Sequence, residues 1–408
     1  MEIEDYVRAS RRNHPDQKIM HDYYTALYTL IKLQFPAYIT FPKLFVSYSS
    51  DRRCEQARIQ DSTYIIYDQY LGQGFDRLNR ILKAKQSWHD LTVSFALKCL
   101  AQKLITRGAT HNALIYAIHH DDILNRVKEA GNPFAFSKEE ETYISMLTMV
   151  QECFILSHEF SHFLISHGSS LEENGCDRVY AEALKLISQP LSVTHLKEST
   201  KRYGKKWTSQ TKEHYQSFTE RMVSFFKDSR KKLLPEMLCD QLATKHAMRV
   251  IYEFYDVPMD IICEGIFLAF KHSRMFRHLE LLADNIVPLD SCTNQECRQM
   301  FMRLPEEIWH SDNVDPIYEA QIRQRYMRLQ LYLYVQNSER AYAKLDGIDN
   351  HLKDVSDFYD EKIEDAVLIN LVARILTAED MTKETEFLLE GQDDTRLLNI
   401  IDSYTGWK

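Results

Sequence analysis

Apolar positions recur at helical spacing over most of this chain. In residues 1–36, Tyr23, Leu27, Leu30, Ile31 and Leu33 fall at helix-like intervals before Pro36 interrupts them, which predicts a packing helix. From 37 to 72 the texture turns β-branched and aromatic. LFVSY at 44–48 and TYIIYDQYL at 63–71 are the best strands, so a small sheet is expected. Helical periodicity returns over 73–130 and is broken by GNP at 131–133. A new helix should follow, with Ser137 as its N-cap and three Glu residues in its first turn. Residues 168–234 are rich in Ser, Lys and Glu and read as a polar insertion; 235–284 is helical, 288–297 a connection, and 298–408 helical and highly charged. The expected class is mainly α with a small β-sheet (α+β). It comprises an N-terminal helical segment (1–36), a central domain (37–330) carrying the insertion, and a helical C-terminal region (331–408).

Composition narrows the partners. Only 11 Gly and 10 Pro in 408 residues disfavour an all-β chain, which needs frequent turn signals. The net charge is −9, and bases are interspersed with acids without a basic stripe, so nucleic acid is not an expected partner. The polar, acidic N-terminus lacks a signal pattern, and the apolar segment 261–270 is short and interrupted by Glu264, so no membrane span is expected. Eight cysteines without a CxxC pair read as reduced thiols of a cytoplasmic protein.

The sharpest chemical signal is His158-Glu159-x-x-His162, which follows the apolar run 144–156. Residues four apart lie one above the other on a helix, so both imidazoles can face one ion, with Glu159 beside them. Zinc is the expected cofactor. It needs a third protein ligand and an open position for water, whose proton Glu159 is placed to take as general base. The bland alternative is a buried helix with two satisfied core histidines.

Two solutions for the third ligand are familiar. A His six residues beyond the second is absent, because Gly168 stands there; His167 reads as a helix-end residue. The other is a Glu on a second helix with an Asp one turn later that orients a ligand His. Glu236 and Asp240 fit, at the start of a helix initiated by Pro235. Glu280/Asp284 is the rival, Glu361/Asp365 is remote, and Glu173/Asp177 is interrupted by Gly175, which argues against a helix there. His119-His120-Asp121-Asp122 reads as solvated helix surface, and the many tyrosines, Tyr23 and Tyr24 among them, as packing residues.

The pairing of His158-Glu159-x-x-His162 with Glu236-x-x-x-Asp240, flanked by the small residues Cys239 and Ala243, resembles the gluzincin metallopeptidases. The compact HtpX/CAAX-protease-like group is the nearest in pattern, and in lacking spanning helices the chain is similar to soluble members such as the Lit-type phage-exclusion peptidases. The segment 310–329 is similar to the His-Pro…Arg stretch ending those catalytic domains, with Ser311 in place of Pro. This makes His310 a candidate substrate or oxyanion contact and places Arg323 and Arg325 nearby. The resemblance implies a zincin-like catalytic core over 37–330 that cleaves an intracellular protein, with strand 63–69 as a sheet edge along which substrate lies. It also implies restraint, by narrow specificity, by the insertion closing the cleft, or by an activating or inhibiting protein partner. Two other readings stay open: a non-enzymatic helical interaction or regulatory protein with a structural zinc site, and a zinc hydrolase acting on a non-peptide.

Overall fold

Residues 2–10, 20–35, 40–49, 52–107, 109–167, 169–188, 205–285, 315–337 and 345–364 are described in the computed structural model. The connection expected at 288–297, residues 196–204 of the charged stretch 196–214, and His310, Cys292, Cys297 and Asp365 lie outside them. In chain order the elements are α1 (Ile3–Ser10), α2 (His21–Lys32), β1 (Lys43–Ser47), β2 (Cys54–Ile59), β3 (Ser62–Asp68), α3 (Gln69–Lys83), α4 (Trp88–Thr106), α5 (Thr110–Glu129) and α6 (Lys138–His167). There follow α7 (Ser169–Ile187), α8 (Lys205–Asp228), α9 (Arg230–Tyr255), α10 (Met259–Asn285), α11 (Asp315–Asn337), α12 (Leu345–Tyr359) and a π-helical turn at Asp360–Glu364. The chain is mainly helical with one small three-stranded sheet. Residue 330, where the central domain was expected to end, falls inside α11. No helix among the described residues is long and apolar enough to cross a membrane.

The sheet has the order β1-β3-β2, with β3 parallel to β1 and antiparallel to β2. This corrects the expected edge: strand 63–69 is the middle of the sheet. Its alternation explains why. Ile65 and Tyr67 point into the main core, whereas Ile66 packs on the other face against Ile3 and Val7 of α1, so both faces are covered. The true edge beside the helices is β2, a strand the apolar pattern does not reveal. It joins β3 through the two-residue turn Gln60–Asp61, with Gln60 at φ 54°. Such turns are usually flagged by Gly or Asn, and neither is present.

Helix α6 is the spine. Its start follows the sequence: Glu140 N–H donates to Ser137 Oγ (3.2 Å) while the Ser137 N–H donates to Glu140 Oε2 (2.7 Å), a reciprocal capping box. Thirty residues make it roughly 45 Å long. Val150, Phe154 and Phe160 pack it against Ala243, Ala247 and Ile251 of α9 and Ile262 and Ile266 of α10, while β2 and α3 lie against other faces.

One polar knot is buried in this core. Glu152 of α6 accepts hydrogen bonds from Tyr23 and Tyr24 (2.7 Å each) and from Tyr67 (3.2 Å), so these tyrosines tie α2 and β3 to the spine as well as packing there. Burial pushes the Glu152 carboxyl pKa up, and the three hydroxyls partly offset that. Gly72 of α3 faces the knot: a Cβ there would sit 1.9 Å from Glu152 Oε1 and 3.1 Å from the Tyr67 hydroxyl. A carboxylate held by three hydroxyls cannot swing aside. Gly72→Ala is therefore expected to destabilise the protein by about 2–3 kcal/mol, read as a lower urea midpoint; an unchanged midpoint would show that Glu152 moves freely.

Three further local expectations are corrected. Helix α7 runs through Gly175, where a side chain would meet Leu238 of α9 at 2.8 Å, so this glycine permits close helix packing instead of ending a helix. Helix α9 begins at Arg230, five residues before Pro235, because Lys232 N–H and Leu233 N–H already bond to Ser229 O at 3.0 Å. His119 and His120 of α5 are not solvated: His119 is buried, and His120 Nδ1 lies 2.7 Å from Ser94 Oγ of α4, where burial lowers its pKa to about 4.

Candidate metal centre

Helix α6 presents His158 and His162 one turn apart, and their Nε2 atoms face each other at 3.2 Å. Across from them, on the second turn of α9, the Glu236 carboxylate straddles the pair. Its Oε2 is 3.4 Å from His158 Nε2 and its Oε1 3.4 Å from His162 Nε2. The opposite ring nitrogens are occupied. Asp240 Oδ1, one turn beyond Glu236, lies 2.9 Å from His158 Nδ1. That contact lies off the ring N–H direction, so it acts as a charge pair more than as a directed hydrogen bond. Cys239 Sγ lies 3.3 Å from His162 Nδ1. Both rings are thus turned to point Nε2 into one gap.

Ligand atoms of His158, Glu159 and His162 fall within 4.8 Å of one another, so this cluster could hold a metal ion. The Glu236 carboxylate also borders this gap, one oxygen beside each imidazole. Tetrahedral zinc with bonds of about 2.0–2.2 Å requires ligand–ligand edges of about 3.3–3.6 Å; the two Nε2 atoms are 3.2 Å apart, and each lies 3.4 Å from a different Glu236 oxygen. The donor set of two imidazoles and a carboxylate fits such an ion.

Electrostatics fit the same role. Burial works against a charged His158, but Asp240 and Glu236 outweigh it and raise its pKa to about 9; a cation is what this gap favours. His162 is lowered, by burial first and by the charge on His158 second. Burial would raise Glu236 and Asp240, yet both are held down at about 2, Glu236 by His158 and Arg323 and Asp240 chiefly by Arg323. Glu159 differs. Burial pushes it up to about 7, although the backbone N–H of Gln56 in β2 donates to it.

No family model, curated protein or solved structure matches this chain.

Arg323 of α11 is the functional residue that spacing alone does not single out. Its Nε and one terminal nitrogen grip Asp240 at 2.7 and 2.8 Å, and the other terminal nitrogen lies 3.4 Å from Glu236 and 3.5 Å from Glu319. The fork keeps both acids ionised and fixes Asp240 against His158. It lies 83 residues from Asp240 in sequence, so no local pattern pairs them; the only signal is its place in the 310–329 segment. The rival Glu280 is engaged elsewhere, 3.0 Å from Lys103 and 2.8 Å from Arg277. Asp177 pairs with Arg230 at the surface. A cleft of about 450 Å³ opens onto His158, Glu159, Glu236 and Arg323, and a second of about 310 Å³ reaches His158 from the side of Phe154 and Phe270.

Proposed function

We propose that this chain is a zinc-dependent endopeptidase with a zincin-like core, acting on an intracellular protein. The observation that carries the reading is the convergence of His158 Nε2 and His162 Nε2, 3.2 Å apart, on a Glu236 carboxylate with one oxygen 3.4 Å from each, beside a half-buried Glu159 that lines an open cleft. His158, His162 and Glu236 would hold the ion. Bound zinc would polarise the scissile carbonyl and lower the pKa of its water.

The chain's own residues do the rest. Glu159, with a pKa near 7, is matched to proton transfer at neutral pH: it takes a proton from the attacking water and returns it to the leaving amine nitrogen. Asp240 holds His158 in orientation, Cys239 sits behind His162, and Arg323 locks Asp240.

Strand β2 is suited to present the substrate. Asp68 N–H bonds to Arg53 O, so in this antiparallel register the even residues of β2, Gln56 among them, turn their backbone groups to the open edge. That edge reaches Glu159, and an extended peptide added there would cross the cleft in front of the base. This edge takes over the role that the family resemblance implies for strand 63–69.

The structural-zinc reading is disfavoured by the open cleft and the Glu159 carboxylate lining it beside the ligands, since a purely structural site is closed and has no use for a base. The test is metal content after purification and dialysis. About one zinc per chain is expected in the wild type and in Glu280→Ala, and essentially none in His158→Ala or Glu236→Ala. Metal retained by Glu236→Ala but lost from Glu280→Ala would transfer the ligand role, and no metal in the wild type even after zinc is added would sink the reading.

A further inference from the structure

The cleft beside the proposed zinc site is basic although the chain carries a net charge of −9. Five cations and three carboxylates line its larger part, and two of those carboxylates, Glu159 and Glu236, belong to the centre itself. Four of the cations differ in kind from the fifth. Arg323 is committed to Asp240 and Glu236, Lys103 and Arg277 share Glu280, and Arg53 has partners of its own. Arg52 makes no ion pair with any described residue.

Arg52 is nevertheless firmly placed. Its backbone is left-handed (φ 50°), held by the N–H bond to Asp68 Oδ2 at 3.0 Å. The guanidinium lies over the Tyr70 ring (4.6 Å) and near that of Phe276 (5.8 Å), and one terminal nitrogen bonds to Gln102 Oε1. Its Nε is enclosed and has no hydrogen-bond partner. The aromatic rings favour the cation without neutralising it. The Asp68 charge also acts on the guanidinium, but no described carboxylate forms an ion pair with it, so an anion in the cleft would be its first direct counter-ion. Here it lines the same cleft as Glu159 and stands two residues before the edge strand β2.

We propose that Arg52 is the specificity-determining residue of this cleft and selects an Asp or Glu side chain of the bound peptide. The carboxylate accepts from the terminal N–H groups of the guanidinium, an end-on fork suited to a planar acid. A peptide paired on β2 carries that side chain into the cleft close to the scissile bond. The inference rests on the peptidase reading for the peptide, but not for the anion.

The two are separated by measuring binding and cleavage independently. Purified Glu159→Gln protein, with zinc and again without it, is mixed with a library of random octapeptides capped at both ends, and the retained peptides are sequenced. Acidic residues should be enriched at one position by on the order of tenfold. Arg52→Gln should abolish that enrichment, and Arg52→Glu should replace it with Lys and Arg. Retention without acidic bias, a bias unchanged in Arg52→Gln, or no retention by folded protein would each overturn the proposal. If acidic peptides are retained but wild-type protein does not cleave them, the anion subsite stands and the peptidase reading fails.

Discussion

Replacing Glu159 with Gln is expected to leave about one zinc per chain in place while lowering peptide hydrolysis by on the order of 10²–10⁴-fold. The substitution is nearly isosteric, and the proposed ligands are His158, His162 and Glu236, whose two oxygens each lie 3.4 Å from one Nε2. What it loses is the capacity to accept a proton. Gln cannot be a base at any pH, and no other carboxylate near the ligands is free to replace it: Glu236 faces both imidazoles and Asp240 is gripped by Arg323. The measurement is turnover of a peptide substrate alongside metal content. Full hydrolysis by a zinc-loaded Glu159→Gln protein would remove the proposed mechanism, whereas loss of zinc together with activity would show that Glu159 is a ligand.

The second large effect is on stability. Glu152→Ala should lower the free energy of unfolding by about 4 kcal/mol, because three tyrosine hydroxyls lose their acceptor at once and a cavity opens beside α6. Glu152→Gln retains volume and an acceptor oxygen and should cost less than half as much. Urea denaturation of both variants beside the wild type checks the pair; equal effects would mean that charge, not hydrogen-bond acceptance, matters at this position. Glu152 lies six residues before His158 on the same helix, roughly 9 Å along its axis. The knot therefore anchors the segment that aims the imidazoles.

The tyrosines show where a sequence reading stops. Tyr23 and Tyr24 have the helical spacing of packing residues, and they do pack, but their hydroxyls go to a carboxylate more than 120 residues away. Glu152 itself sits in an apolar run and carries no local mark of three donors. Strand β2 was illegible for another reason: Cys54–Ile59 is only partly buried and half polar, and its turn lacks glycine. Its role as an edge follows from β3 being paired along both sides, with β1 and with β2.

What the sequence by itself determined is whatever depends on short spacing along one element. The capping box at Ser137 and Glu140 starts α6, the four-residue interval stacks His158 over His162, and the same interval puts Glu236 and Asp240 on one face of α9; these follow from helix geometry alone. Tertiary structure decided everything that requires two distant elements to meet. It brought Glu236 rather than Glu280 against the imidazoles, laid Gln56 of β2 over Glu159, locked Asp240 with Arg323, and left Arg52 lining the cleft with no ion pair to any described residue. The physical reason is that a charged side chain finds its partner through the packing of whole helices and sheets, and that packing is set by apolar faces with no record of which carboxylate or guanidinium they will bring together.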